Sequence, residues 1–240
     1  MGVRHNVDTN FFPVWRATMA YVLGYLYADG SLEFAPYIRA KYMRVTSTDL
    51  DRIEVIRSAL HSAHTIVKIR KGGNYKDKYL LRIGSHRIFD QLTALGMTPN
   101  KSKTMEFPDV PQRFLADFVR GYFDGDGCAY LEMRKNGRPK RLLCVFTSGS
   151  VKFLQVLHDK LQKQIGLVGQ GLYEHGSTEG AYQLRYSSAD SIRLFKFMYQ
   201  PPVNEDLFLR RKYAIFTRYF ELHADVTHPR LKTSGLVAKK

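Results

Sequence analysis

Apolar residues recur on most turns of two stretches, Trp15–Tyr27 and Phe114–Asp124, and each stretch contains a single glycine and no other breaker, so both read as helices. After Gly30 and Gly127 the period changes to two. Leu32 and Phe34 alternate with Ser31 and Glu33, and Leu131 and Met133 alternate with Tyr130, Glu132 and Arg134. Thr46–Asp49 and Thr147–Ser150 carry the short polar side chains that cap the next helices. Further strands are predicted at His64–Arg70, Lys78–Ile83, Val168–Tyr173 and Tyr182–Tyr186. The order helix, strand, strand, helix, strand, strand, helix thus occurs twice. Four antiparallel strands with helices on one face make an α+β unit.

The two units are copies. "LGYLYADGSLE" (Leu23–Glu33) recurs as "RGYFDGDGCAYLE" (Arg120–Glu132), with Asp29 and Asp126 at an offset of 97 positions. "VTSTDLDRIEVIRSAL" matches "FTSGSVKFLQVLHDKL" at an offset of 101, and "LLRIGSHRIFDQL" matches "QLRYSSADSIRLF" at 103. Order is kept and the offset drifts by a few residues, so insertions fall in loops such as the Asn-Gly turn of "KNGRPK". We expect a first half at 1–105 with its opening helix over 15–30, and a second at 114–240 with its helix over 114–127. The linker, 106–113, lies at the Pro-punctuated stretch "KTMEFPDVPQ".

Charge narrows the function. Thirty-seven Lys and Arg against 22 Asp and Glu give a formal charge of +15, which points to a polyanionic partner, nucleic acid or a membrane surface. No apolar run is long enough to span a bilayer and no basic amphipathic helix stands out, which disfavours the membrane. The opening residues lack the apolar core of a secretory signal, and Asn6 stands where a myristoylation motif wants Ser or Thr. Cys128 and Cys144 form no zinc spacing and read as reduced thiols. The expectation is an intracellular protein, in a prokaryotic cytoplasm or an organelle, and not a secreted one.

Small residues one turn apart, Gly24/Ala28 and Gly121/Gly125, would let the two opening helices pack backbone to backbone. Their C-terminal ends would then lie side by side and bring Asp29 and Asp126 together. Two carboxylates facing the negative ends of two helix dipoles call for a cation, and a hard ion such as Mg²⁺ prefers oxygen ligands. A single Asp-Gly after a helix is usually only a turn. The pairing at equal places in two copies favours ligation over that reading. "DGDGCAYLE" is not an EF-hand, because Cys128 and Ala129 occupy positions that need other residues.

Val22–Gly30 (VLGYLYADG) and Val119–Gly127 (VRGYFDGDG) resemble the two signature helices of the LAGLIDADG homing endonucleases, and the repeat around them resembles the monomeric two-motif branch over most of residues 15–222. The resemblance implies two pseudo-symmetric αββαββα half-domains whose sheets form a saddle over double-stranded DNA. It implies catalysis by Asp29 and Asp126, which bind divalent metal at the scissile phosphates, with Ala28 and Gly125 placed in the same metal site. The sixth motif position departs between the copies, Tyr27 in one and Asp124 in the other. Mg²⁺ is the expected ion; Mn²⁺ would substitute, and Ca²⁺ would bind without supporting cleavage. A basic residue near the metals would stabilise the pentacovalent phosphate. Lys103 and Lys212 are the choices in "NKSKT" and "LRRKY", with Lys101 and Arg210 as rivals.

Alternation, with the basic and polar residues of the neighbouring strands and turns, marks a candidate DNA-reading face. In the first half it comprises Ser31, Glu33, Tyr37, Arg39, Arg44, Lys68, Arg70, Lys78 and Arg82. In the second it comprises Tyr130, Glu132, Arg134, Arg138, Lys140, Tyr173, Gln183 and Arg185. An eight-residue strand spans roughly 26 Å, about eight base pairs, so two copies would read at least ~16 base pairs. The leading expectation is a monomeric, metal-dependent endonuclease of intron-homing type that cuts both strands of a long non-palindromic target and leaves short 3′ overhangs. The alternatives are an RNA maturase and a non-cleaving DNA-binding protein of the same fold. An intein is disfavoured, since no nucleophile and His-Asn pair bracket the chain.

Overall fold

The first unit runs α1 (Ala17–Asp29), β1 (Gly30–Ala35), β2 (Ala40–Ser47), α2 (Leu50–Ala59), β3 (Ile66–Ile69), β4 (Lys78–Gly84) and α3 (His86–Ala94) in the computed structural model of the chain. The second repeats it as α4 (Leu115–Asp126), β5 (Gly127–Met133), β6 (Pro139–Ser148), α5 (Val151–Ile165), β7 (Gly171–Glu174), β8 (Tyr182–Tyr186) and α6 (Ser188–Tyr199), and then adds α7 (Arg210–Glu221). The structure describes residues 5–73, 75–135, 137–169, 171–174, 180–200 and 203–223. Asn136 of the predicted Asn-Gly turn lies outside them. Each unit holds one antiparallel sheet, ordered β1-β2-β4-β3 and β5-β6-β8-β7. The duplication seen in sequence is therefore a duplication of topology.

The helix α1 is buried on every side from Met19 to Tyr27, as a helix at the centre of a two-unit molecule must be. It packs along α4, and the glycines are why it can. A Cβ at Gly24 would lie 2.0 Å from the Phe118 carbonyl oxygen, and one at Gly121 would lie 2.0 Å from that of Tyr21. One turn later a Cβ at Gly125 would lie 2.3 Å from the Ala28 Cβ. The predicted seam is present within one chain.

Around the seam the aromatic rings of Tyr27, Phe107, Phe118 and Phe153 pack together, so the linker residue Phe107 helps to close the core between the units. The cap positions follow the sequence as well. The Ser150 hydroxyl accepts from the Phe153 amide at the start of α5; Asp49 stands at the N-cap position of α2, but its side chain caps no amide there. The predicted edges moved by one to three residues at most helices and strands, where end turns fray.

Four expectations about side-chain direction fail. Phe34 is 52% exposed, because the tip of β1 runs past the helices that cover its root. Tyr37 and Arg39 are not strand residues: Pro36–Ile38 forms a 3₁₀ turn, and Arg39 ends it with φ +49°. Arg134 lies beyond the end of β5, after a register shift at Glu132/Met133. Lys68 stands opposite Tyr79, and Ile66 opposite buried Leu81, so Lys68 belongs to the helix side of its sheet, while Val67 shares the open face with Leu80; Arg70 lies past the strand. Residues directly opposed on antiparallel strands share a face. Register, which the sequence does not carry, decides this one.

Candidate active site and nucleic-acid face

Each motif helix ends where its chain turns sharply into a strand. Gly30 and Gly127 make this possible, since a Cβ at either would lie 2.5 Å from a carbonyl of the preceding turn, Leu26 or Phe123. The turn leaves Asp29 and Asp126 as the last residues of α1 and α4, side by side across the glycine seam. Asp29 Oδ2 would lie 3.4 Å from a Cβ at Gly125, on the opposite helix. Burial pushes both carboxyls above the usual range. Asp126 reaches about 6, first through burial and second through the charge of Asp29. The Tyr25 hydroxyl, 2.9 Å from Ser47 Oγ, and the charge of Lys212 partly hold Asp29 down.

Two lysines complete the centre. Lys212, at the start of α7, is buried, and its ammonium donates to the carbonyl oxygens of Phe123 (2.6 Å), Asp124 (2.8 Å), Gly125 (3.3 Å) and Gly127 (2.5 Å). It thereby caps the C-terminus of α4, where a cation meets the negative end of the dipole. Burial pulls it down to about 8. In the first unit the equivalent contact belongs to Lys101, whose ammonium donates to the Tyr27 carbonyl at 2.7 Å. Tyr27 and Asp124 are the same motif position, so the two lysines are pseudo-symmetric. Lys103, the sequence choice, is exposed at the other side of the 3₁₀ turn Lys101–Lys103. Two residues along such a turn, side chains point about 120° apart. Arg210 likewise faces outward, 3.4 Å from Glu205.

A polar pocket of about 190 Å³ opens beside Asp29, lined also by Tyr25, Thr46, Asp49, Lys78, Gly125 and Arg211. Arg211 forms an ion pair with Asp49 at 2.9 Å and so ties α7 to the cap of α2. In sequence Arg211 carries no signal and Asp49 reads only as a cap, because their contact spans 162 positions.

Asp124 has a different task from Tyr27. It is 2% exposed, accepts from the Tyr21 hydroxyl (2.9 Å) and the Leu209 amide (2.8 Å), and its second oxygen meets no donor among the described residues. Buried Arg52 of the first unit donates to the Tyr21 hydroxyl and to the Asp206 carbonyl, so this chain of contacts bridges the units. An acid inside an apolar helix was the signal available in sequence.

The open sheet faces carry most of the predicted contact residues. Ser31 opposes Arg44, which opposes Arg82, in one row of the first sheet. Glu33 lies beside them and accepts from Arg82 (2.8 Å) and Arg44 (3.2 Å). Lys78 lines the pocket beside Asp29. In the second sheet Glu132 holds Lys140 (2.8 Å) and Arg141, the latter not anticipated. Tyr130 lies on the same face as Glu132, and Gln183 opposes Tyr173 and accepts from Arg185. Arg138 is exposed in the hairpin turn. Among the described residues no helix is long and apolar enough to cross a membrane, and no three His, Cys, Asp or Glu side chains cluster as a metal site.

Residues 113–198 match the LAGLIDADG-like domain family. Solved structures share the fold over most of the chain, among them the following three. The LAGLIDADG homing endonuclease I-LtrWI bound to target DNA is 13% identical, with a TM-score of 0.56 over 88% of this chain and 91% of that one. The homing endonuclease I-WcaI, bound to its DNA recognition sequence, is 12% identical with a TM-score of 0.57, over 86% and 90%. The LAGLIDADG meganuclease I-AabMI, bound to uncleaved DNA, is 11% identical with a TM-score of 0.54, over 85% and 91%. A probable translation initiation factor IF-2 of Methanocaldococcus jannaschii is 23% identical over 128 residues, 51% of this chain; the chain spans only 10% of that protein's length. The second unit thus matches the LAGLIDADG-like domain, and the chain as a whole, with its doubled sheet topology, has the fold of the two-domain LAGLIDADG homing endonucleases.

Proposed function

We propose that the chain is a site-specific endonuclease that hydrolyses both strands of double-stranded DNA at a long asymmetric target, using divalent metal. One observation carries the reading: Asp29 and Asp126 meet across the glycine seam, each beside a buried lysine, at the junction of two basic sheets. The carboxylates fit a hard cation. Burial raises the proton affinity of both carboxyls, and the charge of Asp29 raises that of Asp126 further, a charge that an oxygen-seeking ion such as Mg²⁺ or Mn²⁺ would offset. Ala28 and Gly125, one residue before each acid, border the same space, although the Gly125 carbonyl already accepts from Lys212 at 3.3 Å. When bound, the metal would supply an activated water and neutralise charge at the phosphate.

The chain's own residues do the rest. Asp29 and Asp126 would hold the cation, one acid serving each strand. Lys101 and Lys212, anchored on carbonyl oxygens, hold positive charge at the ends of the helices without reorganisation as the phosphate becomes more negative. Arg44, Arg82, Lys78, Arg141 and Lys140 bind backbone phosphates and base edges, with Glu33 and Glu132 spacing the cations. The test is cleavage of a randomised duplex library in Mg²⁺ against Ca²⁺. Recovery of one enriched cut sequence in Mg²⁺ alone is expected; a library left uncut in Mg²⁺ and Mn²⁺ overturns the reading.

A further inference from the structure

One row of the first sheet's open face is apolar. Thr46 of β2 opposes Leu80 of β4, and Leu80 opposes Val67 of β3. The three side chains therefore stand on one face, in line across three strands. Val67 is 51% exposed and Leu80 is half-buried, so methyl groups are presented outward on a face that also carries Arg44, Arg82, Glu33 and Lys78. The row starts at the candidate active site, since Thr46 lines the pocket beside Asp29. From β2 it runs outward by two strand spacings, about 10 Å. Cations flank it on both sides: the next row holds Arg44 and Arg82, and Lys78 stands on the other side, opposite Ile69.

The copy differs at the same place. The matching row of the second sheet is Thr147, Gln183 and Tyr173, paired in the same register. There Gln183 accepts from Arg185, whose guanidinium lies over the Tyr173 ring. One half thus offers hydrogen-bonding groups where the other offers methyls.

We propose that the Thr46–Leu80–Val67 row reads thymine, by packing its methyls against the 5-methyl groups that thymine alone presents in the major groove. The proposal rests on the endonuclease reading above and deepens it. The flanking Arg82 and Lys78 bind the phosphates on either side and hold the duplex against the row. Because the second sheet has Gln183 and Tyr173 instead, the thymine preference belongs to one half of the target only.

The experiment has two stages. Duplexes bound by the wild-type chain in Ca²⁺ are first selected from a randomised library. The enriched site is then rebuilt with deoxyuridine in place of each thymine in turn, which removes the methyl and nothing else. Loss of affinity of about fourfold is expected per contacted methyl, at thymines of one half-site. Val67→Asn, on a half-exposed edge strand, should fold as the parent does and should abolish that sensitivity at the same thymine while leaving the other half-site unchanged. An enriched site whose thymines all tolerate deoxyuridine overturns this inference and leaves the endonuclease reading standing. So does a stable dimer, by light scattering, that Val67→Asn splits, since a second copy would then cover the row. If no sequence is enriched, both fail.

Discussion

Asp29 and Asp126 sit at the negative ends of two helices and beside each other, an arrangement that costs stability and that the cation proposed above would relieve. Asp29→Asn or Asp126→Asn should therefore abolish double-strand cleavage while sequence-specific binding survives, measured by gel cleavage and by filter binding. Loss of binding in both, with the fold intact, would show that the acids are not mainly catalytic. Their titration has a definite sign. Asp126 titrates near 6 in the folded chain and near 3.8 when unfolded, so the folded state holds its proton longer. The stability this contributes is complete below about pH 4 and is lost as pH rises through 6. In EDTA, Asp126→Asn should thus melt higher than the parent at pH 7.5, and the gap should close towards pH 4.5. A gap that widens on acidification would contradict the burial argument. The lysines make a sharper pair. Lys101→Met should slow cleavage by at least about tenfold, as removal of one positioned transition-state donor does, whereas Lys103→Met should alter only the salt dependence of binding.

Between elements, the seam is set by two glycines that have no steric alternative. Gly121→Leu would drive a side chain into the Tyr21 carbonyl, 2.0 Å from where its Cβ must sit, so it should abolish cooperative unfolding or prevent expression of folded protein. The same seam carries a polar bridge. Tyr21→Phe leaves both Asp124 and Arg52 short of a partner in a buried place, and should cost about 1–3 kcal/mol by denaturant titration. A neutral result there would mean that water replaces the phenol.

On the scale of the molecule, a +15 chain that neutralises phosphates must release counterions. Its affinity for DNA should fall steeply as salt rises, and a flat log-log plot would exclude a nucleic-acid partner. Two unlike faces in one chain also imply a monomer bound one-to-one to a non-palindromic site. Glu33 stands where the repeat places Tyr130, and Leu80 where it places Gln183. Light scattering that gave an obligate dimer, or a strictly palindromic target, would contradict the account of the duplication.

The sequence by itself determined the repeat, the α+β half-domain, the two motif helices and the acids that end them. These depend on local periodicity and on residues that only one backbone geometry tolerates, so a string of letters is enough to state them. It also carried the helix seam, because glycine spacing on a helix is a statement about one face. The tertiary structure alone decided which lysine meets which helix end, since a 3₁₀ turn sends Lys101 inward and Lys103 outward. It alone showed Arg211 on Asp49 and Arg52 on Tyr21, contacts whose partners lie far apart in the chain. And it moved Lys68 off the reading face and put Val67 there. A strand's alternation fixes which residues share a side; only its pairing with a neighbour fixes which side that is.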